Sequence, residues 1–190
     1  MRRWEADPEF SFIPTVARRA SLQTVPMRLV VMGAAGSGKT TVGREVSARS
    51  GWPFLDGDDF HSQESRRRMA RGEALTDADR WPWLERLRTE LEARPAAVLA
   101  CSALRRAYRD ALRGPGVRFL FLRVPEALLH GRLAARSGHY AGPDLLPSQL
   151  AALEEPGRDE PDVLTLGVTA ADSPADLAAR ALTALGVAHA

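Results

Sequence analysis

The sequence predicts an α/β fold, a five-stranded parallel sheet with helices on both faces. Three observations carry that expectation. From Arg28 onward, short apolar runs alternate with amphipathic segments, as strands joined by crossover helices require. The octet Gly33-Ala34-Ala35-Gly36-Ser37-Gly38-Lys39-Thr40 lies between the first apolar run and the first helical segment. Residues with chemical capacity cluster where the apolar runs end, the edge at which ligands bind in parallel sheets with right-handed crossovers.

Taken in order, Leu29-Val30-Val31-Met32 reads as a buried strand feeding the glycine-rich octet, and a helix follows over 40–50. Pro53-Phe54-Leu55-Asp56 is a second strand, ending in acids, with helices after it over 64–72 and 83–94. Ala97-Val98-Leu99-Ala100-Cys101 is a third strand, followed by a helix over 103–113. A fourth strand is expected over 117–124, a helix over 126–136 and a short helix over 148–153. The fifth strand is expected over 162–166, and the closing helix over 174–185 takes Ser173 as its N-cap. The connection over 137–147, with Gly138, Gly142, Pro143 and Pro147, reads as a mobile lid.

Composition narrows the function classes. A chain of 190 residues is large enough to bury about 70% of its unfolded surface without staples. No apolar run approaches the ~20 residues of a membrane-spanning helix. The single cysteine, Cys101, excludes an intrachain disulfide and fits a reducing, cytoplasmic compartment. Net charge is only +2, and Glu64 and Glu73 flank the cluster Arg66-Arg67-Arg68, which reads as a solvated helix face; nucleic acid is not an expected partner. Residues 1–26 mix proline, arginine and isolated aromatics without periodicity, so they read as a poorly ordered extension before a domain over 27–190. Met27 stands directly before the first strand as an alternative initiator.

The octet has the form G-x-x-x-x-G-K-[ST], the P-loop that wraps backbone N–H groups around a nucleotide's phosphates. Its residues 33–40, with Thr41, are the expected nucleotide-binding set. The N–H groups of 36–41 are expected to hold the β-phosphate at the helix N-terminus. Lys39 is expected to bridge the β- and γ-phosphates in catalysis, and the Thr40 hydroxyl to ligate Mg²⁺. Lys39 is also the one lysine among 26 basic residues, and asparagine is absent, both consistent with G/C-rich coding. An ammonium retained against that bias marks a place where a planar guanidinium would fit poorly.

The second constellation is Leu55-Asp56-Gly57-Asp58-Asp59-Phe60-His61. Asp56 and Asp58 share a face if the strand continues that far. Of Asp56 and Asp58, one could act on Mg²⁺ through water while the other orients or deprotonates an acceptor hydroxyl. Asp59 points away and reads as a turn residue. His61 stays open between a substrate donor and a histidine packed in a loop. The third signal is Arg132 and Arg136, spaced i, i+4 just before the expected lid, where closure would bring positive charge to the transferring phosphoryl group and exclude water. Surface charge is the other reading of such residues in so arginine-rich a chain.

Absences complete the picture. Ala100-Cys101-Ser102 ends the third strand without the aspartate of motor-type or transporter-type NTPases, and without asparagine there is no guanine-reading N-K-x-D. A small-molecule kinase fits both.

Beyond the P-loop, the chain carries D-G-D-x-x-H at 56–61, Met69-Ala70-Arg71-Gly72-Glu73-Ala74-Leu75-Thr76-Asp77-Ala78-Asp79-Arg80-Trp81-Pro82-Trp83, Cys101-Ser102-Ala103-Leu104-Arg105-Arg106-Ala107-Tyr108-Arg109-Asp110 and Arg136-Ser137-Gly138-His139. In that order these stretches resemble the bacterial-type gluconokinases, P-loop kinases of small molecules, over 29–185. The resemblance implies ATP- and Mg²⁺-dependent phosphorylation of D-gluconate on its 6-hydroxyl, feeding carbohydrate catabolism, in a homodimer. It makes Asp58 the residue that activates that hydroxyl, and His61, Arg80, Arg105 and Arg109 candidates for the sugar acid's hydroxyls and carboxylate. It also places His139 in the lid, at the substrate. Ser62 and Ser65 stand where the family usually has proline and asparagine. The alternatives are a kinase of the same fold for another hydroxy acid such as shikimate, and a nucleotide-binding regulator without catalysis.

Overall fold

A computed structural model describes residues 26–135 and 145–187. The expected extension over 1–26, save its last residue, and most of the expected lid lie outside the described residues, as do Arg136 and His139. Five parallel strands form one sheet: β1 (Arg28–Met32), β2 (Phe54–Asp56), β3 (Ala97–Ala100), β4 (Val117–Arg123) and β5 (Val163–Gly167), in the spatial order β2-β3-β1-β4-β5. The helices are α1 (Lys39–Ser50), α2 (Gln63–Ala70), α3 (Asp77–Glu92), α4 (Arg106–Leu112), α5 (Glu126–Ala134), α6 (Leu146–Ala152) and α7 (Pro174–Ala184). No helix among the described residues is long and apolar enough to cross a membrane.

The central strand β1 is apolar on both faces because helices cover both. Val30 and Met32 join Trp83, Leu84, Leu87 and Leu91 of α3 and Tyr108 and Leu112 of α4. Leu29 and Val31 point the other way, toward Val42 and Val46 of α1 and Leu177, Ala181 and Leu182 of α7. Full burial of one such aliphatic side chain stabilises the fold by roughly 1.5–3 kcal/mol. A smaller cluster packs Ala34 and Ala35 of the P-loop against Leu129 and Leu133 of α5 and Leu146 of α6. All strand C-termini therefore meet on one edge, with the P-loop at its middle.

Three helix starts differ from the sequence expectation by two residues or more. α3 begins at Asp77, six residues earlier than the expected Trp83, and runs through Pro82. A reciprocal capping box starts it, with the Thr76 hydroxyl accepting from Asp79 N–H and the Asp79 carboxylate accepting from Thr76 N–H. That box outweighs the proline as a local signal and places Asp77, Arg80, Trp81 and Trp83 on the opening turns. α4 begins at Arg106 rather than 103, because Ala103 adopts a left-handed backbone (φ 42°) and no helix passes through such a residue. α6 likewise begins at Leu146, two residues before the expected start, with Pro147 in its first turn.

Arg109 holds that left-handed turn. Its side chain is 1% exposed and forms a two-pronged pair with Glu160, Nε to Oε2 at 2.7 Å and Nη2 to Oε1 at 2.6 Å. Its Nη1 donates to the carbonyls of Ala103, Leu104 and Glu154. Arg113 adds a second guanidinium to Glu160 and pairs with Asp162 at the entry to β5. The hydrogen bond from Arg109, opposed by burial and helped by Arg113, pulls the Glu160 carboxyl down to about 2. The resemblance made Arg109 a substrate candidate; its guanidinium is instead consumed inside the wall, and that assignment is corrected.

Arg109→Met should destabilise the fold by about 3 kcal/mol, because the buried Glu160 loses its two-pronged partner and keeps only Arg113. Urea denaturation will measure this. Arg109→Lys should recover little, since one ammonium cannot replace the fork, whereas the double variant Arg109→Met/Glu160→Leu should recover much of the loss.

Candidate active site

The P-loop turns from β1 into α1 through residues that only glycine suits. Gly36 has φ +80°, and a Cβ there would press to 3.2 Å from Leu133 and 3.3 Å from the Leu129 carbonyl. Gly38 caps α1 in the left-handed region, and among the described residues no side chain caps the first helical turn. The helix N-terminus thus presents its unshared N–H groups and the positive end of its dipole. Not every loop N–H takes part: Ser37 N–H donates to Ala34 O at 3.2 Å, and Ala35 N–H to Gln149 Oε1 at 2.7 Å. The Lys39 ammonium lies 3.0 Å from Ala34 O, folded back over the loop it serves.

The acids reach this cradle although β3 separates β2 from β1. Gly33 N–H donates to Ser102 O, tying the P-loop to the exit of β3. Gly57 lies against the Ala100 carbonyl so closely that a Cβ would stand 2.6 Å from it. Trp83 Nε1 then locks the same residue by donating to Gly57 O at 2.7 Å. Three strand exits are drawn together, and Thr40 Oγ1 meets Asp56 Oδ2 at 3.2 Å.

Asp56 and Asp58 do not share a strand face as expected. Residues Gly57–Phe60 form a 3₁₀ turn, with the Asp56 carboxylate as its cap, accepting from Asp58 N–H at 3.2 Å. The turn carries Asp58 to the mouth, where 76% of its side chain is exposed. Cleft walls that strip solvent from one side raise its pKa above the ordinary 3.8; Lys39 opposes this and Asp56 and Asp59 add to it. A carboxylate that is reachable, near the ammonium and raised in basicity has the properties of a general base.

His61 realises the packed reading. It is 8% exposed, and its ring stacks on Trp83 with centroids 4.3 Å apart and planes 11° from parallel. Its Nε2 lies 4.0 Å from Asp58 Oδ1, so its link to the site runs through that carboxylate. Burial, with the Arg66 and Arg80 charges, lowers its pKa from 6.5 to about 4, leaving it neutral near pH 7. Ser62, the departure beside it, caps α2 by accepting from Ser65 N–H at 3.1 Å, and the two hydroxyls meet at 2.9 Å.

Arg80 and Arg105 come together across the α3–α4 contact. Both guanidiniums lie over the Tyr108 ring, 5.6 and 5.8 Å from its centroid, and both engage Asp77. Arg132 Nη1 reaches the Gly36 and Ser37 carbonyls at 3.4 and 3.5 Å, at the rim of the P-loop. Thr41 is exposed on the first turn of α1. Sequence reading missed Gln149, Trp83, Asp77 and Tyr108. Spacing signals neither Gln149 nor Trp83, because each acts on an element distant in the chain; Asp77, three residues before Arg80, and Tyr108, three after Arg105, are the two whose spacing pointed to a shared face.

The donor set bears on the cation. Among the described residues, no three His, Cys, Asp or Glu side chains converge as a metal-binding group. One hydroxyl, Thr40, and one carboxylate, Asp56, stand together beside the phosphate cradle. So sparse a protein share suits Mg²⁺, which keeps its waters and takes substrate phosphates as ligands.

Comparison with known proteins bears on the whole constellation. A family model described as an AAA domain matches residues 29–156. A gluconokinase of Gluconobacter oxydans (strain 621H) is 46% identical over 148 residues, 75% of this chain and 83% of the relative. The crystal structure of a gluconokinase from Sinorhizobium meliloti 1021 superposes with a TM-score of 0.77 at 42% identity, covering 86% of this chain and 94% of that one. A shikimate kinase from Acinetobacter baumannii, at 16% identity and a TM-score of 0.58 over 85% of this chain and 94% of its own, shares the fold.

His61 makes the site's packing measurable. Its folded pKa lies below its unfolded value, so between pH 6.5 and about 4 the unfolded chain binds a proton that the folded chain refuses. Stability present above pH 6.5 is lost as pH falls toward 4, by roughly 3 kcal/mol in all. Denaturation at pH 7 and pH 4.5 should show this, and His61→Phe, which retains a stacking ring, should lose correspondingly less.

Proposed function

The chain belongs to the gluconokinase family, and from that premise we propose that it transfers the γ-phosphoryl group of ATP to the 6-hydroxyl of D-gluconate, giving 6-phospho-D-gluconate and ADP. It is a kinase. The observation that carries the chemistry is a phosphate cradle and an accessible basic carboxylate on one sheet edge: Lys39 and Thr40 on one side, Asp58 on the other, coupled closely enough for the ammonium to oppose the rise in the carboxyl's pKa.

The N–H groups at the start of α1 bind the donor's phosphates, and Lys39 swings from Ala34 O to bridge them. Thr40 and Asp56 would hold Mg²⁺, whose charge when bound would offset that of the phosphates. Asp58 accepts the proton of the 6-hydroxyl as its oxygen bonds to the γ-phosphorus; the bond from that phosphorus to the bridging oxygen breaks, and the electron pair leaves with ADP. Arg132 at the P-loop rim and Arg136, four residues on in the chain, are assigned to the charge on the transferring group, and His139 to the acceptor. Arg80 and Arg105 are assigned to the acceptor's carboxylate. The buried thiol of Cys101, pushed up to about 12 by desolvation, takes no part.

Shikimate is the weaker acceptor reading, since the likeness to shikimate kinase extends to the fold. Retention of Lys39, Thr40 and Asp58 argues against a regulator without turnover. We assign the enzyme to the cytoplasm as a homodimer; light scattering of the purified protein tests the assembly.

Four outcomes are expected from steady-state assays with ATP and gluconate, shikimate, glucose or nucleosides. Wild-type protein should turn over gluconate, and turnover on another acceptor alone retires the assignment. Asp58→Asn should lower kcat by about 10²-fold or more while ATP affinity holds. The acid limb of kcat/KM should lie above the ordinary aspartate value and follow Asp58, because the base works only when ionised and its pKa is raised. Lys39→Arg should cripple turnover despite keeping its charge.

A further inference from the structure

We propose that Asp77 and Tyr108 are positioning residues that hold Arg80 and Arg105 as one carboxylate-reading pair; the proposal rests on the gluconate assignment above. The four side chains form a closed clamp between α3 and α4. Arg105 Nη1 donates to Asp77 Oδ2 at 2.6 Å, and the Tyr108 hydroxyl donates to Asp77 Oδ1 at 2.6 Å. Arg80 Nη1 donates to the Tyr108 oxygen at 3.2 Å and lies 3.8 Å from Asp77 Oδ1. The Tyr108 ring carries both guanidiniums, and Trp81 closes its far side edge-on at 5.7 Å.

The pattern of engagement sets this clamp apart from an ordinary surface ion pair. Among the described residues, each guanidinium spends only Nη1 on it, leaving the Nε–Nη2 edge, the geometry that grips a carboxylate with two parallel bonds. Two arginines and one aspartate leave a net charge of +1, the complement of a monoanion. Arg80 and Arg105 are only 21% and 39% exposed, so the clamp has already removed much of the rotamer freedom that binding would otherwise cost. Trp83, three residues after Arg80 on α3, stacks on His61, whose Nε2 lies 4.0 Å from Asp58, so the helix that carries the clamp also borders the acceptor side of the cleft.

The test compares gluconate with glucitol, the neutral hexitol that lacks its carboxylate. Tyr108→Phe keeps the ring under both guanidiniums and removes only the hydroxyl link; Asp77→Ala removes the shared anchor. Each should raise KM for gluconate, about 3-fold to 10-fold for Tyr108→Phe and 10-fold or more for Asp77→Ala. The kcat should stay within about twofold, KM for ATP should hold, and the preference for gluconate over glucitol in kcat/KM should fall accordingly. A merely structural lesion would lower both substrates alike, and that result overturns the proposal. An unchanged or lower KM for gluconate also overturns it, showing Asp77 to be a competitor for the arginines. A wild-type enzyme inert toward gluconate overturns the substrate assignment, and this inference with it.

Discussion

The buried pair of Arg109 and Glu160 is the constraint on which the acceptor side of the molecule depends. Five hydrogen bonds leave this guanidinium, two to the carboxylate and three to carbonyls on two stretches of chain. A carboxylate sealed from solvent cannot be left without its partner, so the pair fixes the left-handed turn at Ala103 and the return of the chain toward β5. Glu154 strengthens the same corner by accepting from Arg106 N–H at the start of α4. Arg105 projects from that corner. Its place opposite Arg80 therefore follows from an ion pair that never meets substrate.

A similar division runs through the donor side. Gly57, Ala100 and Trp83 make no chemistry, yet their close approach brings β2 near enough for Asp56 to meet Thr40. The 3₁₀ turn then separates the roles of two neighbouring acids. Asp56 is tied down by hydrogen bonds, while Asp58 stands at the mouth with its basicity raised. His61 stays neutral against Trp83 and so adds no positive charge that would quench the carboxylate beside it.

Much of this was legible in the chain. Five apolar runs with helical segments between them specify a parallel sheet, and the octet at 33–40 specifies a phosphate cradle, because both patterns arise from local backbone requirements. The failures are equally local in origin. Pro82 masked a helix whose Thr76–Asp79 capping box was present in the sequence. Asp56 and Asp58 were given a strand's alternation, and the turn at Gly57 broke it. Arg109 carried the motif of a substrate residue and proved to be mortar.

What the sequence determined by itself was the fold class, the nucleotide loop with its one lysine, and the identity of the acids beside it. These depend on periodicity, glycine placement and residue type, which neighbours in the chain largely dictate. What only the tertiary structure decided was which arginines can serve a ligand. A guanidinium has the same charge wherever it stands. Whether its donors are spent on Glu160, as in Arg109, or half-spent on Asp77, as in Arg105, depends on partners 51 and 28 residues away. No spacing rule reaches that far, because packing brought those groups together.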